Sequence, residues 1–384
     1  MEKRELPLVS LSISNKFGAA FEDKKIKGLA HFIEHLVFTG TKTRTHEDIS
    51  REIEKKGGII NAFTSHELTS FWFKLPSEHV FAGLDILCDI LNNPIFDLQK
   101  FEKEKKVILE EIKMYHDSPQ RFVHDLIEKK LYAAPFGNSI IGSKETVSSL
   151  KRDFVAPYFK RVYVPSNLVV VIVGNANFDK VCDYLEKQFP KAGEFSMKEP
   201  KIVKQRGSLV EKRGAIDQTH YIFAMHSPLP WSNEYYALEV LDAYLANGMS
   251  SRLFLKIREE RGLAYAVRSN LNAEKNYSYY SIYVGTKREA VKEVEKLILE
   301  EFINVKNLTE KELKESQERL IGLRRVSSEE SINVMNELAF AALADKEEEY
   351  YEHERRIKAV TLRDVKELAA KLANNYSTAV IVPK

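Results

Sequence analysis

At 384 residues, with 44% hydrophobic and 30% charged side chains, the chain has room for two globular domains and the composition of a soluble protein, not of a disordered or fibrous one. A net charge of +2 gives no bias toward nucleic acid or membrane surfaces, and no apolar run approaches the roughly 18–20 residues that span a bilayer. The only cysteines, Cys88 and Cys182, lie far apart with no CxxC partner, which argues against a cysteine metal site and points to a reducing cytoplasm, with one structural disulfide left open.

The opening, Met1-Glu2-Lys3-Arg4-Glu5-Leu6, has no apolar signal region. Alternation over 8–14 predicts a strand. The run Gly28-Leu29-Ala30-His31-Phe32-Ile33-Glu34-His35-Leu36-Val37-Phe38-Thr39-Gly40 predicts a helix, because apolar residues recur at helical spacing and Gly40 suits a C-terminal stop. A second helix over 46–56 is capped by Thr45, and Gly57-Gly58 turns the chain into a hairpin of 59–64 and 68–75. Helices follow over 78–91, over 100–116 with Asp97 as its cap, over 122–132, and over 147–162 despite Pro157. A buried strand lies within 167–174, and a helix over 179–189 closes the first half. The stretch 190–207 is rich in Lys, Pro and Gly and reads as a linker, drawn as a domain boundary at 191–212.

After it the pattern restarts: a strand over 219–225, helices over 233–246 and 252–261, a hairpin of 266–273 and 277–284, helices over 287–303, 309–325, 331–343 and 360–373, and a strand over 379–382. The second half thus repeats the first, with 59–75 matching 266–284, 100–116 matching 310–325, and 168–173 matching 379–382. The expected fold class is α+β: two duplicated domains, 1–190 and 213–384, each an antiparallel or mixed sheet packed with helices.

The chemistry concentrates in His31-Phe32-Ile33-Glu34-His35. On a helix His31 and His35 are one turn apart and share a face. Each can give a ring nitrogen to one Zn²⁺ at roughly 2.0–2.1 Å. Glu34 stands beside His35, within reach of a water on that metal. The order His-x-x-Glu-His inverts the usual His-Glu-x-x-His of zinc proteases. A catalytic zinc also needs a third protein ligand and an open fourth position. Over 100–116, Glu104, Val107, Ile108 and Glu111 fall at i, i+3, i+4 and i+7 and form one stripe, unlike Glu102, Lys103, Lys105 and Lys106, which suit a solvated face. The second half carries Gly248-Met249-Ser250-Ser251 where the first has its histidines, so one half holds the metal chemistry. The plainer alternative is a helix that happens to carry two histidines.

Together these features resemble the pitrilysin/insulinase family of zinc peptidases over nearly the whole chain. Gly28 to His35 is similar to the family's active-site helix, and Glu104-Lys105-Lys106-Val107-Ile108-Leu109-Glu110-Glu111 to its second-carboxylate helix. The resemblance implies one Zn²⁺ per subunit held by His31, His35 and Glu111, with Glu34 as general base and Glu104 as a glutamate that orients a ligand histidine. Arg258-Glu259-Glu260-Arg261-Gly262-Leu263-Ala264-Tyr265 is similar to the family segment whose Arg and Tyr contact the substrate and the tetrahedral intermediate. Asn61-Ala62-Phe63-Thr64 resembles the strand that pairs with substrate, which makes Asn61, Ala62 and Phe63 substrate-binding candidates. In larger members the Arg/Tyr pair comes from the opposite half of a clamshell, so this chain corresponds to one half. Arg258 and Tyr265 are then expected to serve a second subunit's zinc in a homodimer whose chamber admits peptides or unfolded segments. Family members usually carry a further N-terminal strand before the region that begins here near Leu8. The rival readings are a non-catalytic scaffold subunit of the same fold and an active subunit that needs a different partner chain.

Overall fold

The computed structural model describes residues 6–190 and 196–384; the segment 1–5, where no signal region is expected, and 191–195 of the expected linker lie outside the described residues. The first half runs β1 (Leu8–Asn15), α1 (Leu29–Val37), α2 (His46–Glu54), β2 (Ile59–Thr64), β3 (Thr69–Pro76), α3 (Val80–Asn92), α4 (Leu98–Asp117), α5 (Pro119–Leu131), α6 (Lys144–Ser149), α7 (Arg152–Val162), β4 (Leu168–Gly174) and α8 (Phe178–Gln188). The second runs β5 (Ser208–Arg213), β6 (Thr219–His226), α9 (Asn233–Leu245), a π-helical stretch Phe254–Glu260, β7 (Ala264–Ala273), β8 (Ser278–Thr286), α10 (Val291–Asn304), α11 (Glu310–Ser327), α12 (Ser331–Leu343), α13 (Glu349–Ala359), α14 (Leu362–Ala373) and β9 (Tyr376–Pro383).

Local chemistry starts these elements where side chains allow. Thr45 and Asp48 exchange bonds in a capping box at α2. At α4 the Asp97 carboxylate accepts from the Lys100 N–H at 3.0 Å. Three expectations change. The helix expected over 147–162 is two helices, because Leu150 and Lys151 take extended backbone between α6 and α7. The last residues of the boundary drawn at 191–212 belong to β5, a six-residue edge strand with alternate exposed positions that pairs in parallel with β9. The segment expected as the α-helix 252–261 is wound as a π-helix, and the Leu263 N–H reaches back to the Ile257 carbonyl at 3.0 Å. Helix α13 has no sequence counterpart above, since it buries only His353 and Ile357.

The sheet orders carry the duplication. The four-stranded sheet runs β2-β3-β1-β4; the five-stranded one runs β7-β8-β6-β9 with β5 added outside β9. Each half also hands over one helix: α12 packs on β1 and β4, while α5 packs on β6 and β9. The compact units are accordingly interleaved in sequence. One comprises 1–114, 139–201 and 328–347, the other 115–138, 202–327 and 348–384, not a single break at 191–212.

This exchange explains buried polar strand faces. Along β1, Val9, Leu11 and Ile13 enter the core of the first unit, while Ser10, Ser12 and Ser14 on the opposite face are just as buried. Ser10 Oγ lies 2.8 Å from Ser331 Oγ of α12, and Ser14 donates to Ser70 at 2.9 Å. In β8, Tyr280, Ile282 and Val284 enter the second core, and Tyr279 on the other face donates to Glu128 of α5 at 2.9 Å. Small or hydroxyl-bearing side chains let a helix approach the sheet there, and Ser10 and Ser14 gain hydrogen-bond partners while the buried Ser12 Oγ has none.

Ser10→Leu places two extra heavy atoms between β1 and α12. The expected cost is about 1–3 kcal/mol in urea unfolding; an unchanged midpoint would mean that this face of β1 is open to solvent.

Candidate metal centre

Helix α1, which carries the candidate ligands His31 and His35, starts where two glycines cross. Gly28 has φ +95° and a Cβ there would sit 2.7 Å from the Ile141 carbonyl oxygen and 2.9 Å from Gly142 Cα. Only glycine gives both that backbone angle and that approach. The first N–H groups of the helix are bound by a buried carboxylate: Gly28 N–H and Ala30 N–H donate to Glu22 at 2.9 and 2.6 Å. Burial pushes the Glu22 pKa up to about 7, against the charge of Lys27 3.6 Å away and the two backbone bonds.

Helix α4 lies along α1 in the opposite sense. Lys100 donates to the Thr39 carbonyl just past the end of α1 at 2.6 Å, and the Phe32 and Phe101 rings meet at 4.8 Å. At about 100° per residue, Phe101 and Ile108 form the buried centre of α4. Glu104 and Glu111 flank that centre and Val107 lies beyond them, 44% exposed. The apolar stripe expected through Val107 is therefore shifted toward Phe101.

This register brings three donors together. His31 Nε2 and His35 Nε2 each stand 3.6 Å from Glu111 Oε2. Among the described residues His31, His35 and Glu111 form the group of ligand atoms, all within 4.8 Å of one another, that could hold a metal ion. Tetrahedral zinc with bonds of roughly 2.0–2.2 Å separates its ligand atoms by about 3.3–3.5 Å, so this donor set fits zinc. Glu104 Oε2 lies 3.4 Å from the other ring nitrogen of His35, Nδ1. A carboxylate there favours the Nδ1–H tautomer and leaves Nε2 free to ligate. Glu34 extends from the same turn, and its Oε2 accepts from the Thr64 hydroxyl at 2.5 Å.

The charges suit a metal. Burial, reinforced by His35, pushes the His31 imidazole down to about 3, so its ring is neutral at pH 7, as a metal ligand would need to be. Burial opposes charge on His35 too, but the Glu104 hydrogen bond and the charges of Glu34, Glu111 and Glu104 outweigh it and raise its pKa. Burial raises the Glu34 carboxyl, opposed by the Thr64 bond and by His35, while Glu111 pushes it further up. A bound divalent cation would supply the positive charge that this cluster of carboxylates lacks.

Asn61, Ala62 and Phe63 lie on β2, at the end of the first sheet and packed against α1. The Asn61 side chain accepts from the Ala62 N–H at 2.8 Å, and Phe63 stacks on Phe340 of α12 with centroids 6.1 Å apart. Arg258 and Tyr265 belong to the other compact unit. Arg258 sits on the π-helical stretch, half exposed, with its guanidinium over the Phe254 ring. Tyr265 is on β7 and 44% exposed. Thr64 and Glu22 were not singled out in the sequence. Thr64 directly follows the substrate-strand residues, but nothing local marks its reach to Glu34. Cys88 and Cys182 are free thiols.

The depressed pKa of His31 gives the metal-free protein stability that is present above about pH 6.5 and lost as pH falls toward 3. In chelator, wild type should therefore lose about 1–3 kcal/mol more than His31→Gln between pH 7 and pH 4. Parallel stability curves from urea titrations would contradict a buried neutral His31.

Comparison with known proteins gives the family. Residues 2–144 match the Insulinase (Peptidase family M16) family, and residues 149–320 match the Peptidase M16 inactive domain. The "inactive" description thus falls on the half with Gly248-Met249-Ser250-Ser251, outside the histidine cluster. An uncharacterized zinc protease of Bacillus subtilis, YmxG, is 33% identical over 379 residues, covering 95% of this chain and 91% of its own. One from Streptomyces coelicolor is 30% identical, covering 95% and 83%. A protease from Helicobacter pylori shares the fold with a TM-score of 0.91 at 20% identity, over 98% of this chain and 95% of that one. A Pseudomonas fluorescens protein titled as a peptidase M16 inactive domain gives 0.89 at 19% identity, over 100% and 95%. The chain belongs to the M16, or insulinase, family of peptidases.

Proposed function

We propose that this chain is a zinc-dependent endopeptidase that hydrolyses peptide bonds in oligopeptides or unfolded polypeptides. The observation that carries the reading is the meeting of His31, His35 and Glu111 with Glu34 one residue from a ligand. Zinc bound there supplies a Lewis acid and lowers the pKa of a bound water to about 7. Glu34 takes the proton from the attacking water on its carboxylate and delivers it to the leaving amine nitrogen. The Thr64 hydroxyl holds Oε2 of Glu34, which leaves Oε1 to carry that proton. Glu104 keeps the His35 ring in one tautomer and one orientation.

Substrate is held extended along β2. An edge strand offers unpaired backbone groups to any peptide regardless of sequence. The peptide displaces the Asn61 amide oxygen from the Ala62 N–H, and Phe63 helps to line a side-chain pocket. Arg258 and Tyr265 act in trans, on the zinc site of a second copy. One sequence carrying both motifs favours a homodimer over a pair of different chains, and the two copies enclose the cleavage chamber. Among the described residues no helix is long and apolar enough to cross a membrane. The scarcity of cysteine supports a cytoplasmic setting, and the near-neutral charge gives no reason to expect nucleic acid or a membrane surface as a partner.

Glu34→Gln and Arg258→Ala should each lose most cleavage of an unstructured peptide, by about 100-fold or more. Glu34→Gln should keep its zinc. Mixed after subunit exchange, the two should recover activity, because a hybrid dimer has one site with an intact Glu34 and an intact Arg258. Wild-type turnover by Glu34→Gln would remove the base assignment, and no recovery despite verified exchange would remove the shared site.

A further inference from the structure

The π-helical stretch and β7 bring Tyr265 to the surface of the second unit by an unusual route. The pairing of β7 with β8 matches Ala264 to Thr286 and then Ala266 to Gly285, so Tyr265 is the extra residue of a β-bulge. Bulges turn a side chain out of the regular alternation. Here the Tyr265 ring is turned onto Gly285 of the neighbouring strand. A Cβ on Gly285 would sit 2.2 Å from Tyr265 Cζ and 2.4 Å from its hydroxyl oxygen. No side chain other than hydrogen leaves room for the ring in that place.

The hydroxyl end is held as well. Tyr265 Oη lies 3.2 Å from Tyr283 Oη, and Tyr283 Oη lies 2.8 Å from His220 Nδ1. Tyr283 and His220 are buried, and Tyr283 has His124 of α5 stacked beside it at 6.2 Å and 22°. An exposed tyrosine with a purely packing role has no need of a buried hydroxyl and a buried imidazole lined up behind its own hydroxyl.

We infer that Gly285, Tyr283 and His220 are positioning residues that fix where the Tyr265 hydroxyl stands and which way it donates; this rests on the reading of Tyr265 as a substrate-contacting group. With the His220 proton on Nδ1, His220 donates to the Tyr283 oxygen and Tyr283 donates to the Tyr265 oxygen. Among the described residues of its own unit the Tyr265 O–H then has no other acceptor, and the side chain is 44% exposed, so that proton is open to a ligand. It is poised to donate to the carbonyl oxygen of the scissile bond as charge develops there. A hydroxyl fixed before substrate arrives costs no reordering at the moment of reaction. Gly285 sets the position of the ring, and the two buried residues set the direction of the proton.

The test is steady-state cleavage of a quenched unstructured peptide by the zinc-loaded protein, with kcat and KM resolved and zinc content and Tm measured for each variant. Tyr265→Phe should lower kcat by about 10- to 100-fold. Gly285→Ala, which displaces the ring and its hydroxyl without removing the hydroxyl group, should lower kcat about tenfold or more with KM within about twofold of wild type. Tyr283→Phe removes one oxygen from a filled site and should lower kcat by about three- to tenfold, with KM and zinc content unchanged. Wild-type kcat in both Gly285→Ala and Tyr283→Phe, alongside an impaired Tyr265→Phe, overturns this inference and leaves the peptidase reading standing. Wild-type kcat in Tyr265→Phe itself overturns the role given to Tyr265, and the inference with it.

Discussion

The packing of α4 along α1 is the constraint on which the candidate site depends. Two histidines one turn apart define only a line on a helix surface; a third donor has to arrive from elsewhere in the chain. Phe32 against Phe101 sets the distance between the helices, and Lys100 at the Thr39 carbonyl sets how far one slides along the other. With those two contacts made, Glu104 reaches Nδ1 of His35 while Glu111 reaches Nε2 of both histidines. A shift of α4 by one turn, about 5.4 Å, would separate all of these atoms. The Glu22 carboxylate and the Gly28–Gly142 crossing serve the same end from the other side by fixing where α1 begins.

The duplication then accounts for how one architecture holds two kinds of chemistry. Both sheets keep the same strand order and each receives a helix from the opposite half of the sequence. In the first half, the two-helix segment between the first strand and the hairpin holds the two candidate ligand histidines. In the second it holds a π-helical stretch that leads into the bulge at Tyr265. π-Helical turns and bulges both give up regular hydrogen bonding to re-aim a side chain, and here they follow one another within a dozen residues. The helix exchange has a further consequence for folding. Neither half can bury its sheet on both faces until the other has been made, so each half depends on the other for its full core.

Much of this was legible in the sequence, and the parts that were not share a physical reason. The His31, Glu34 and His35 arrangement is local, so helical periodicity alone puts the three on adjoining positions. Glu111 needed a stripe argument and a family resemblance, and the stripe was partly misjudged: Val107 is 44% exposed, and the buried line runs through Phe101 and Ile108. Periodicity gives the angle between residues but not which part of an apolar arc is covered. Strand β5 and helix α13 are each at least half charged side chains and gain their place from a distant partner strand and from neighbouring helices. Alternation over 8–14 marks a strand but not what covers its serine face, which is buried under α12, more than 300 positions away in the chain. The bulge at Tyr265 has a trace in sequence only through Gly285, whose lack of a side chain makes sense once the ring is seen lying against it.

The most direct measurement is zinc binding by the isolated protein, followed by metal titration of wild type, Glu110→Gln and Glu111→Gln. Glu110 is the adjacent carboxylate on α4, exposed and paired with Lys113, and so controls for charge without geometry. Wild type and Glu110→Gln should each bind about one zinc per chain with the same affinity. Glu111→Gln should weaken binding by more than the roughly 10–100-fold that follows loss of an outer-shell partner. Equal affinity in all three proteins would contradict a metal held between α1 and α4.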